Sequence, residues 1–235
     1  MLGKALALAT LATCLSTASA QQTVHEQSPL ERVGLRYLQY LPIEYATSDD
    51  LFPFVLFLHG GGEGGDEIER VKKHGLPKLI EAGRQFPFIV VSPQNPSHTQ
   101  FWDDQQLIRL LDQLQRELRI DPDRIYLTGL SRGAYGAWRL AIQNPDRFAA
   151  LVPIAGGGAM PYAKRIKHLP IWAFHGKLDS VIPASEVERM IAAIREAGGD
   201  PKLTIYPDAE HDSWTEAYND PQLYEWMLRQ QRSSN

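Results

Sequence analysis

Short apolar runs alternate along the chain with longer stretches in which apolar residues recur every three or four positions. The runs Leu35–Leu41, Phe54–Leu58, Phe88–Ser92, Ile125–Thr128, Ala150–Ile154, Ile171–Phe174 and Leu203–Tyr206 are predicted strands. Several of them are apolar on both faces, the pattern of strands in a covered parallel sheet. Between them, Asp104–Leu118 sets Leu107, Ile108, Leu111, Leu114 and Leu118 on one helical face, and Ala134–Ile142, Glu186–Ala197 and Leu223–Gln230 are further predicted helices. The alternation predicts an α/β fold, a doubly wound, mostly parallel sheet with helices on both faces. In such a sheet ligands bind beyond the carboxyl ends of the strands.

The amino terminus stands apart from this pattern. Lys4, an apolar stretch through Leu15 and then Ala18-Ser19-Ala20 form the pattern of a secretory leader. Residues 1–20 are expected to be removed near Ala20, leaving residues 21–235 as one domain in a secreted or periplasmic protein. Thr13 before Cys14 fits a lipoprotein signal poorly. Cys14 is the single cysteine, so the mature chain holds itself together by its core rather than by disulfides. No later apolar span is long enough to cross a membrane. The net charge is −4, and loss of Lys4 makes it more negative, which argues against nucleic acid as a partner.

Candidate chemistry sits at the predicted strand ends. Arg124–Thr128 runs into Gly129-Leu130-Ser131-Arg132-Gly133 and then into a helix. Gly-x-Ser-x-Gly between a strand and a helix places the serine on a sharp, strained turn that exposes its hydroxyl. A serine needs a base to take its proton, and the base needs a carboxylate to fix its tautomer. With the order serine, acid, histidine, His211 is the base, since it follows the last predicted strand. Asp179, after Ile171–Phe174, is the acid, with Asp208 and Asp212 as rivals. The remaining feature is "FLHGGGEGGDE", Phe57 to Glu67, with five glycines directly after a strand. Bare backbone there would let a peptide N–H approach the oxygen that gains charge when Ser131 attacks a carbonyl. Gly61, with Gly62 in reserve, and Arg132 are the expected oxyanion donors, and His59 is read as a residue that positions the loop.

The stretches "LHGGGEGGDE", "GLSRGAYGAW", "HGKLDSVIP" and "HDSWTEAYNDPQLYEWML", spread over residues 53–228, resemble the α/β-hydrolase superfamily. The similarity is to its small secreted branch of predicted peptidases and of polyhydroxybutyrate-depolymerase-like and feruloyl-esterase-like enzymes. That resemblance implies Ser131 as nucleophile, Asp179 as acid, His211 as base, and the amides of Gly61 and Arg132 as the oxyanion hole. Ala134 stands where many relatives carry a second glycine. Only Gly156 to Leu169 separates two strands where such folds often insert a cap, so no cap domain is expected and an open site suits bulky or polymer-attached esters.

Trp102 and Trp214 are candidate substrate-binding aromatics, with core packing as the competing reading. The acidic run Glu63, Asp66, Glu67 and Glu69 lacks calcium-loop spacing, and neither a metal nor an organic cofactor is implied. The sequence thus points to a serine carboxylesterase acting on short-chain or aryl esters, hydroxycinnamoyl or carbohydrate-linked, through an acyl-enzyme. Two alternatives stay open: a serine peptidase of the same fold, and a binding protein that keeps the fold without catalysis.

Overall fold

The computed structural model describes residues 21–26 and 34–232, so the expected leader lies outside the described residues. Among the described residues eight strands form one sheet: β1 Gln22–Glu26, β2 Arg36–Tyr40, β3 Phe52–Leu58, β4 Ile89–Pro93, β5 Ile120–Leu130, β6 Ala150–Ile154, β7 Trp172–Gly176 and β8 Lys202–Tyr206. Their order is β1-β2-β4-β3-β5-β6-β7-β8, antiparallel from β1 to β4 and parallel from there on. Six α-helices accompany them among the described residues: α1 Gly75–Glu81, α2 Asp104–Glu117, α3 Arg132–Gln143, α4 Ser185–Glu196, α5 Trp214–Asn219 and α6 Pro221–Leu228.

The alternation of side chains along β3 divides the core in two. Phe54, Leu56 and Leu58 pack with Leu107 and Leu111 of α2, Trp138 of α3 and Ile191 of α4. Val55 and Phe57 point the other way, onto Leu76 of α1, Tyr218 of α5 and Leu223 of α6. Every residue of β3 is buried, which is why the strand reads as an unbroken apolar run.

Capping signals set the helix starts. Asp103 accepts the N–H groups of Gln105 and Gln106 at the start of α2, and Asp220 accepts that of Gln222 ahead of Pro221 in α6. Pro153 has no N–H to give, and β6 registers with β7 only at Ile154↔Phe174, with an isolated bridge from Leu151 to Ile171.

The structure adds an element absent from the sequence reading. β1 is polar, with Val24 exposed, and lies at the sheet edge through backbone pairing from Gln22↔Tyr40 to Glu26↔Arg36. Between β6 and β7 there is a 3₁₀ segment, Met160–Ile166, packed on α4, and no cap domain among the described residues.

Candidate active site

Four strand ends converge on one point. β5 turns into α3 at Ser131, whose φ of 52° and ψ of −119° lie in a region that L-residues rarely adopt. The turn is pinned by Ser131 N–H to the Ile154 carbonyl (2.9 Å) and by the Ala134 N–H to the Ser131 carbonyl (2.9 Å). It is also too tight for side chains. A Cβ on Gly133 would lie 2.0 Å from the Leu58 carbonyl oxygen, and one on Gly129 would lie 2.4 Å from that of Gly133. Both glycines are therefore required by the close approach of β3 to the turn.

The Ser131 hydroxyl donates to His211 Nε2 at 3.0 Å, and His211 Nδ1–H donates to Asp179 Oδ2 at 2.8 Å. The loops carrying the acid and the histidine are locked together behind this chain. Lys177 N–H donates to the Tyr206 carbonyl (2.8 Å), Leu178 N–H to that of Ala209 (2.9 Å), and a Cβ on Gly176 would lie 2.0 Å from the Glu210 oxygen. Gly176 thus sets the distance between Asp179 and His211, a role its place at a strand end could have signalled.

The Asp179 side chain is fully buried. Burial works against its charge, but the hydrogen bond from His211 and the N–H groups of Ile182 (2.8 Å) and Val181 (2.9 Å), both on Oδ1, outweigh it. The carboxyl consequently titrates below its ordinary range. Neither rival acid reaches the histidine. Asp212 accepts the backbone N–H and the hydroxyl of Thr215, and Asp208 is exposed.

The glycine loop divides by function of its bare backbone. A Cβ on Gly60 would stand 3.5 Å from Ser131 Cβ, so this stretch lies against the serine. At Gly61 a Cβ would meet the Arg132 guanidinium at 2.9 Å, whereas Gly62 has open space around it. Gly64 and Gly65 instead pack against Ser97 and His98 of the neighbouring loop.

His59 ties the two loops together, donating from Nδ1 to the Gly60 carbonyl (2.7 Å) and accepting the Asn95 N–H on Nε2 (3.0 Å). Burial, aided by the Arg132 charge and opposed by the Gly60 bond, lowers its pKa to about 4. The acidic residues of the loop go to separate partners. Glu67 bonds Arg70, Glu69 pairs with Lys72, and Glu63 is buried between His59 (3.9 Å) and His74 (3.7 Å). Among the described residues no group of three or more His, Cys, Asp or Glu could hold a metal ion.

Trp102 requires a correction. It is only 3% exposed, its ring edge-on to His59 at 4.7 Å and against Gly136, so it offers no face to a substrate and serves as core. Trp214 is 8% exposed and stands edge-on to the His211 ring at 5.1 Å, a wall for the imidazole. The aromatic surface lies elsewhere. A cavity of about 640 Å³ is lined by Phe101, Tyr135, Tyr162, Arg139, Arg165 and Gly157. Tyr135 is four residues along α3 from Ser131 and lines this cavity. Phe101 and Tyr162 are largely exposed, as are Met160, Leu178 and Val181. One helical turn from the serine was the signal that could have singled out Tyr135.

This architecture has known counterparts. The chain is 29% identical over 215 residues to the bifunctional acetylxylan esterase/xylanase XynS20E of Neocallimastix patriciarum, across 87% of this chain but 30% of that protein. A solved thermostable esterase superposes with a TM-score of 0.75 at 28% identity, over 91% of this chain and 64% of the other. A ferulic acid esterase shares the fold, with a TM-score of 0.65 at 16% identity, covering 89% and 97% of the two chains. The chain therefore spans about a third to two thirds of the length of the first two. Residues 94–224 match the profile of the dienelactone hydrolase family.

Proposed function

The chain belongs to the dienelactone hydrolase family, and on that basis we propose that it is a serine carboxylesterase, hydrolysing short-chain or aryl esters through an acyl-enzyme. The observation that carries the proposal is the hydrogen-bonded series Ser131–His211–Asp179, at 3.0 and 2.8 Å, mounted on a strained turn. His211 Nε2 takes the Ser131 proton as Oγ attacks the ester carbonyl, and Asp179 holds Nδ1–H and steadies the imidazolium that forms. The N–H groups of Gly61 and Arg132 receive the oxyanion. His211 then returns the proton to the departing alcohol, and the same steps with water release the acid and restore Ser131.

The aromatic cavity beside Tyr135 supports a planar acyl or alcohol group, and the absence of a cap domain among the described residues supports an ester attached to a larger body. The acetylxylan esterase and ferulic acid esterase likenesses agree with this choice. Export follows from the leader pattern of residues 1–20. The test is a panel of p-nitrophenyl acetate, longer acyl esters, methyl ferulate, acetylated xylan and a peptide anilide. Ester turnover that disappears with Ser131→Ala is expected. Faster cleavage of the anilide than of any ester would replace the esterase reading by a peptidase one, and no labelling by a serine-reactive phosphonate would leave only a binding role.

A further inference from the structure

A second histidine lies against the acid. His175, the fourth residue of β7, is completely buried and takes no part in the steps above. Its Nε2 is 2.8 Å from the Ile182 carbonyl and 3.2 Å from Asp179 Oδ2. Both neighbours are acceptors, so the hydrogen sits on Nε2. The other nitrogen, Nδ1, is buried and has no hydrogen-bond partner among the described residues. Such an orphan costs stability, and an apolar ring would fill the space without that cost. What only this side chain supplies is the Nε2–H.

Ile182 is the residue to which that hydrogen is directed, and its own N–H bonds Asp179 Oδ1. His175 therefore grips the same turn that grips the carboxylate, while the positive edge of its ring faces the oxygen that receives His211. We propose, resting on the triad assignment above, that His175 is a positioning residue. It fixes the Asp179 carboxylate so that Oδ2 stays in line with His211 Nδ1, and it acts on catalysis only through Asp179. The other titratable groups around this pair are His211, and Tyr135 of α3 with Glu186 and Arg189 of α4 beside it. The substitutions below leave all of them in place.

The experiment is a double-mutant cycle on turnover of p-nitrophenyl acetate by the full-length enzyme. His175→Phe should lower kcat on the order of tenfold with KM within about twofold. Placed on Asp179→Asn, it should cost less than about twofold more, because the group it orients is already disabled. His175→Gln, which can present an N–H near the Nε2 position, should recover most of the lost rate. Equal losses in both backgrounds, or a Gln variant as poor as Phe, would assign His175 to packing and overturn the proposal.

Should His175→Phe fail to fold, ¹⁵N-edited NMR of the wild-type imidazoles still decides, since the proposal requires the hydrogen on Nε2, and a hydrogen on Nδ1 overturns it. An Asp179→Asn enzyme with undiminished kcat would remove the acid assignment itself, a result recognisable without any His175 variant.

Discussion

Replacing Asp179 by asparagine is the sharpest perturbation, because the structure decides which way the amide must turn. Oδ1 accepts two backbone N–H groups, from Val181 at 2.9 Å and Ile182 at 2.8 Å. If the amide nitrogen faced them, two buried donors would lose their acceptor, at about 1–3 kcal/mol each. The amide oxygen therefore stays at the Oδ1 position and the NH₂ group takes the place of Oδ2, 2.8 Å from His211 Nδ1 in the parent. His211 must then accept on Nδ1 and carry its hydrogen on Nε2, aimed at the serine it should deprotonate.

Flipping the amide restores the base at a cost of about 2–6 kcal/mol, so kcat is expected to fall by about 30-fold to 10⁴-fold, the upper figure being the scale of a wrong-tautomer histidine. Steady-state hydrolysis of p-nitrophenyl acetate, with circular dichroism to show a folded protein, measures it. A folded Asp179→Asn enzyme within tenfold of the parent would refute the reasoning. Asp208→Asn or Asp212→Asn as the crippling change would mean that the acid is misassigned.

The same substitution has a thermodynamic signature: the folded carboxyl titrates below its ordinary value of 3.8, so its stabilising contribution is present above that pH and is lost as pH falls through the lower folded value. Urea midpoints of Asp179→Asn should accordingly change less with pH below 4 than those of the parent, and a steeper dependence would contradict the assignment. Ser131→Ala and His211→Ala should each lower kcat by roughly 10⁴ or more, and the double variant should be scarcely worse; multiplied losses would show that the two do not act as a unit.

His59, neutral in the fold until about pH 4, gains a proton on unfolding at any pH between that value and 6.5. Stability should therefore drop on acidification across that window by up to ~3 kcal/mol, a slope that His59→Gln should flatten; a parent more stable at pH 5 than at pH 7 would oppose this. Trp102→Ala should cost about 3–5 kcal/mol of stability, as loss of a buried aromatic does. Its KM should change equally for aryl and acetyl esters, whereas Tyr162→Ala should raise KM for aryl esters selectively.

Much of this arrangement is legible in the residues because strand ends are legible. Apolar runs such as Phe54–Leu58 mark where parallel strands stop, and Ser131, Asp179 and His211 each follow one in the chain order the fold demands. The spacing of Gly129 and Gly133 carries a backbone clash that needs no alignment to see. β1 is invisible by the same logic, since an edge strand held by backbone pairing and exposing Val24 has no apolar pattern to read. Trp102 misleads for a different reason. An aromatic after a strand end looks the same in sequence whether its ring faces the cleft or, as here, lies behind His59. His175 resembles an ordinary core residue until the turn at Asp179–Ile182 folds back over it. Glycines 60 to 65 look alike as letters, and only the neighbouring loop separates those that lie against Ser131 from those that admit Ser97 and His98.

The proposed base and nucleophile also stand on ground of unequal firmness. Ser131 rises from β5, paired on both sides in the middle of the sheet, whereas His211 follows β8, whose single partner among the described residues is β7. Backbone at a sheet margin opens at a lower free energy than backbone at its centre. Warming should therefore release His211 in a local, reversible excursion while the central strands remain protected, so that turnover fades at temperatures where the bulk circular dichroism is still native. Amides of Leu203–Tyr206 exchanging with solvent ahead of those of Tyr126–Gly129 would mark that excursion. Fastening β8 to β7 would then lengthen working life at elevated temperature without touching a residue that handles substrate.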